Sequence, residues 1–172
     1  MVDITEISAV VAAAGVLVGV VYYVLEIRHQ TRARQDMART TQMDLLMRLY
    51  STWGDESLQK AAWTVGALEF KDYDDFLNKY AKGDAGAQTP ANIACFRVGW
   101  FFNGIGILLQ SKLADAELID RLFGYMVIWM WEILKPMVEG QRRHFNQPRS
   151  LEWFEYLYNE MKKRQQVGVK NG

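Results

Sequence analysis

Material for several kinds of protein chemistry is scarce in this chain. It has a single cysteine, Cys95, which excludes an internal disulfide and a cysteine-based zinc knuckle and suits a reducing compartment. It has two histidines, His29 and His144. A di-iron carboxylate bundle needs two Glu-x-x-His motifs and two further glutamates on facing helices, and here only Glu26-x-x-His29 has that spacing. There is no Walker phosphate loop, no GxSxG nucleophile elbow and no dinucleotide fingerprint. A basic excess is missing too: 20 Lys and Arg balance 20 Asp and Glu, which argues against a nucleic-acid partner. Strand patterns and internal repeats are absent. The expectation is therefore a chain with no catalytic residues, no cofactor and no metal site, and not an enzyme.

What is present is apolar and aromatic. Half of the 172 residues are hydrophobic and 13% are aromatic, six of them Trp, enough for one domain with a sizeable core and an extra element. Ile7 to Leu25 contains no charge. As a helix this run is about 28 Å long, close to the roughly 30 Å hydrocarbon core of a bilayer. A cleaved signal peptide opens on a basic region, whereas Asp3 and Glu6 precede this run. A buried helix of a soluble protein is the bland alternative, and Tyr22 and Tyr23 count against it, since they fall where an interfacial aromatic belt belongs. Arg28, Arg32, Arg34 and Arg39 follow the run and no Lys or Arg precedes it. The positive-inside rule then puts residues 1–6 outside as a short leader, 7–25 across the cell (inner, cytoplasmic) membrane as a single pass, and 26–172 in the cytoplasm. Glu26 and His29 mark the water line.

One side of the run is small: Ser8, Ala12, Gly15 and Gly19 share a helical face, and Gly15 to Gly19 is a GxxxG. Small residues let backbones approach in lipid, so this face is expected to associate with a copy of itself or another helix.

The expected fold is all-α, with the transmembrane helix continuing into a long exit helix and then a cytoplasmic bundle of about five further helices. No Pro or Gly interrupts residues 20–53, and Met43, Leu46, Met47, Tyr50 and Trp53 form a stripe that needs a partner. Asp55 caps a helix with Leu58, Ala61, Ala62 and Val65 inward, and a short helix follows at 73–80 around Phe76 and Leu77. Residues 82–89 are a loop. Thr89-Pro90 opens a helix to about Ser111, with a face of Asn92, Cys95, Gly99, Asn103, Gly106 and Gln110. Asp115 opens a nearly all-apolar helix with a wet stripe of Glu117, Arg121, Gly124, Glu132, Lys135 and Glu139, in which Pro136 should introduce a bend. Pro148 and Ser150 open a last helix on Leu151, Phe154, Leu157, Tyr158 and Met161.

Gly99, Asn103 and Gly106 are the best candidate for a small-molecule groove, although close helix packing explains them more cheaply. A buried Asn103 needs a hydrogen-bond partner, which Trp129 or Trp131 would supply. His144 beside Arg142 and Arg143 forms a candidate basic patch, and Cys95 reads as a core thiol.

Three stretches carry a family resemblance: Trp100-Phe-Phe-Asn-Gly-Ile-Gly-Ile-Leu-Leu, Leu118-Ile-Asp-Arg-Leu-Phe-Gly and Trp131-Glu-Ile-Leu-Lys-Pro-Met. With the apolar run, the basic exit and Leu49-Tyr-x-x-Trp53, the chain resembles a prokaryotic family of short, membrane-anchored helical proteins classed as a domain of unknown function. The resemblance covers most of the chain and implies a membrane-tethered helical module without supplying a reaction. Where the family pattern often carries an acid, this chain has Asn103, so acid chemistry is not carried over to it. The expected function is an interaction or scaffold module, or an accessory subunit of a larger membrane assembly, with the lipid bilayer and a homo-oligomer or membrane complex as partners. The alternative is a ligand- or lipid-sensing bundle using the Gly99/Asn103/Gly106 groove.

Overall fold

The computed structural model describes residues 40–84 and 88–170, with side chains as far as residue 166. The chain divides into two compact units, Met1–Met43 and Asp44–Gly172. The run at 7–25, the face of Ser8, Ala12, Gly15 and Gly19, the anchor residues Tyr22, Tyr23, Arg28, Arg32 and Arg34, and Glu26 with His29 lie outside the described residues. Among the described residues there are six helices and no strand: α1 (40–53), α2 (Glu56–Gly66), α3 (Tyr73–Tyr80), α4 (Pro90–Gln110), α5 (Ala116–His144) and α6 (Glu152–Lys170).

Local chemistry sets the helix starts. Asp55 accepts from the Ser57 amide at 2.9 Å, Asp72 from Asp75 at 2.8 Å, Thr89 from Asn92 at 3.3 Å, and Asp115 from Glu117 at 2.9 Å and Leu118 at 3.1 Å. Each oxygen satisfies an amide that the first turn leaves without a helical partner, a contribution of about 1 kcal/mol per cap. Pro90 occupies the first turn of α4, where its missing N–H costs nothing. α5 runs 29 residues with Pro136 inside it.

α4 is the central element and lies against α6, α2 and α5, while α3 packs on α5. A continuous aromatic series crosses the core. Trp53 of α1 meets Phe102 of α4 at 5.2 Å between ring centroids, Phe102 stacks on Phe154 of α6 at 5.1 Å, and Phe154 meets Trp131 of α5 edge-on at 5.0 Å. Such pairs add about 0.5–1.5 kcal/mol each beyond the area they bury.

α1 joins this core along a narrower seam than its sequence suggests. Leu46 is buried, Leu49 and Trp53 are partly buried, and Met43, Met47 and Tyr50 of the expected stripe stay exposed. α4 is the one helix among the described residues long and apolar enough to cross a membrane, with mean hydropathy 1.4, and 56% of that stretch is buried in the bundle. Its apolar character therefore serves the core on one side and the surface on the other.

Candidate interaction surfaces

The face of Gly99, Asn103 and Gly106 is occupied by the chain itself. α6 begins with Leu151 in the cap position, in the left-handed region at φ 53°. A leucine has no side-chain acceptor to close a helix start, and this backbone conformation costs about 1–2 kcal/mol for a residue with a side chain. Asn103 replaces the missing cap from across the interface. Its Oδ1 accepts from the amides of Trp153 and Phe154, both at 3.2 Å, which are the second and third residues of α6.

The two glycines make that reach possible. A Cβ on Gly106 would stand 1.9 Å from the Trp153 carbonyl oxygen, and one on Gly99 would stand 2.9 Å from Leu151 Cδ1. Backbone thus rests on backbone at Gly106, and Leu151 is buried over Gly99. Asn103 finds its partners in backbone amides, and neither Trp129 nor Trp131 supplies one. Instead of an open groove, the three residues form a joint that positions α6.

Arg142 braces the same joint from α5. Its Nε donates to the Ser150 carbonyl at 2.9 Å, and its Nη1 pairs with Glu155 at 2.7 Å. That commitment takes Arg142 out of the basic patch expected around His144. The His144 ring packs edge-on against Tyr73 and Phe145.

Cys95 is fully buried, and burial pushes its thiol up to about 12. A thiol held protonated is a poor nucleophile, so its role is packing. Among the described residues no three His, Cys, Asp or Glu side chains are grouped to hold a metal ion. A shallow cleft between α2 and α4 has Lys60 and Arg97 on its rim over Ala61 and Ala94, and Arg97 Nη1 donates to the Ser57 carbonyl at 3.4 Å.

The surface carries large apolar groups on two faces. On the first, Tyr125 of α5 stacks on Trp129, and the Trp129 ring lies over Gly66 of α2, where a Cβ would be 2.8 Å away. Trp63, one turn before Gly66, is 72% exposed and Tyr125 is 69% exposed. The second face runs along α4 through Ile93, Trp100 and Ile107, all exposed. Monomers rarely leave contiguous apolar patches of this kind uncovered.

Residues 9–161 match the model of a family described as domain of unknown function DUF4760. The chain belongs to that family. No curated protein and no solved structure matches it. The DUF4760 span starts inside the uncharged run at 7–25 and ends at Met161, a fully buried residue of α6. Run and helical body thus fall within one family unit.

Two features of this DUF4760 member escape a reading of its sequence. The Leu151 conformation has no local signal, because it is imposed by contacts some 50 residues away. The exposed aromatics did have one: with Leu58, Ala61, Ala62 and Val65 facing inward, Trp63 can only face out. On α5 the wet side differs from expectation as well. Gly124 is buried, while Leu122 and Tyr125 take the outer surface beside Glu117 and Arg121.

Proposed function

We propose that this chain is a membrane-anchored helical interaction module, an accessory or scaffold subunit whose body works by contact rather than by catalysis. Residues 7–25 cross the cytoplasmic membrane once, Tyr22 and Tyr23 lie in the interfacial belt, and Arg28, Arg32 and Arg34 hold the body on the cytoplasmic side. The observation that carries the reading is the pair of exposed aromatics Trp63 and Tyr125 beside the partly buried Trp129, on a body whose interior is closed by its own helices. Aromatic side chains of this kind anchor protein interfaces because they bury large rigid areas at small entropic cost. The family match supports the coupling of anchor and body, since it spans both. The small face of Ser8, Ala12, Gly15 and Gly19 adds helix association within the bilayer.

Membrane fractionation of the full chain tests the anchoring half. The protein should remain with the membrane through an alkaline wash and be released by detergent. A reporter fused at the C-terminus should be active only in its cytoplasmic form. Release by alkali, or a reporter active outside, rejects the reading.

A further inference from the structure

The outer stripe of α4 contains both a projection and a hollow. Trp100 stands 59% exposed, and one turn further on, a Cβ built on Gly104 has nothing within 4 Å. Ile93 and Ile107 flank them, 42% and 43% exposed, and Leu113 lies just past the helix end, 56% exposed. We propose that a second copy of this chain docks here, α4 against α4 in antiparallel sense, about a two-fold axis midway between Trp100 and Gly104. This names one partner for the interaction module proposed above, and it does not depend on the anchor.

A two-fold contact is isologous, so whatever residue i meets, its counterpart meets in return. With the axis at that position, each Trp100 enters the hollow over the other copy's Gly104, and the same geometry occurs twice. Charge selects this orientation. In the antiparallel register Arg97 stands opposite Ile107 in the last turn of the other α4, the negative end of its helix dipole. The two Arg97 side chains are then about ten residues apart, roughly 15 Å along the axis and beyond the screening length. A parallel pairing would stack them on each other. The net charge of zero means no long-range repulsion between copies.

Area is consistent with this occupant. Ile93, Trp100, Ile107 and Leu113 together expose on the order of 400 Å² of side chain, taking about 250 Å² for a full Trp. A standard interface uses about 800 Å² per partner, of which a little over half is apolar. The stripe supplies the apolar core of such an interface, with Arg97, Gln110 and Ser111 at its rim.

Exchanging the projection and the hollow tests the proposal. The full-length chain is extracted in mild detergent and its dimer dissociation measured by light scattering, alongside a Gly15→Leu/Gly19→Leu chain altered in the anchor alone. Trp100→Gly makes hollow face hollow, and Gly104→Trp makes projection face projection. Each should weaken the dimer at least tenfold. The double exchange W100G/G104W, which restores one projection and one hollow per copy, should recover wild-type dissociation within about threefold. Trp100 is exposed and Gly104 opens onto free space, so melting curves should show an intact fold, and Trp100→Glu provides a further disruptive variant with full helix propensity. A double exchange as weak as the single changes overturns the proposal, as does a dimer sensitive only to the anchor substitutions. Loss of binding to phosphatidylglycerol vesicles in Trp100→Gly, with self-association unchanged, would make the occupant lipid and also overturn it. Membrane retention is read in the same extraction, so failure of the anchored-module reading is seen separately.

Discussion

The two sides of α4 use similar residues to opposite ends. Gly106 and Gly104 are two positions apart in one helix. At Gly106 a single methyl group would strike the Trp153 carbonyl, and at Gly104 it would meet nothing. The inner face of Gly99, Asn103 and Gly106 is consumed by the fold, where an amide closes another helix and two glycines admit its backbone. The outer face of Ile93, Trp100, Gly104 and Ile107 contributes little to the fold and remains free for contact. A glycine pattern in a helix therefore says that something approaches closely, without saying whether the approach is internal or still to come.

Substitutions sharpen that contrast. Gly106→Ala carries the largest expected effect, because only a displacement of α6 relieves a 1.9 Å clash with rigid backbone. Chemical unfolding of the full chain should show a loss of about 3 kcal/mol, the upper range for overpacking. Asn103→Ala leaves two amides of α6 without acceptors and should cost about 2 kcal/mol.

Asn103→Asp keeps an acceptor and places a negative charge at a helix start, so it should stay within about 1 kcal/mol of wild type at pH 7. An Asn103→Asp chain as unstable as Asn103→Ala would mean that residue 103 does not cap α6.

Gly104→Ala has the opposite sign. With open space around the new methyl group, it should raise the stability of the body by about 0.5–1 kcal/mol through helix propensity alone. A loss at Gly104, or a gain at Gly106, would collapse the distinction between the faces.

At neutral pH the smallest effect on stability belongs to Cys95. Its thiol has an ordinary value of 9.0 and is pushed up by burial to about 12. The folded chain should resist maleimide at pH 8 and react once unfolded. Above about pH 9 the unfolded chain gives up the thiol proton while the folded chain keeps it, so this group subtracts stability progressively until about pH 12.

Much of the fold was legible because it is set locally. The caps at Asp55, Thr89 and Asp115 and the inward set of Leu58, Ala61, Ala62 and Val65 follow from residues within a turn or two of one another. The joint between α4 and α6 was half legible. Its small residues and lone amide stood out as a face, but the face reads alike whether a ligand or a helix fills it. What settles the matter is the unfavourable start of α6 at Leu151, and that becomes visible only once Asn103 is seen to serve it from 50 residues away. The stripe on α1 is buried along a narrower seam than its periodicity suggests, for a related reason. Periodicity shows that a face is apolar, and the width of the seam it meets decides how much of it is buried.

The most direct test of the central claim, that the body of this chain acts through exposed aromatic contacts, is the size of the particle extracted from native membranes. Wild type and Trp63→Ser/Tyr125→Ser chains would be compared by native mass measurement in mild detergent. The account predicts a particle larger than one chain for wild type, reduced in the variant, with melting temperatures alike because both side chains are exposed. A strict monomer in both, or a larger particle indifferent to these substitutions and to Trp100→Gly alike, would contradict it.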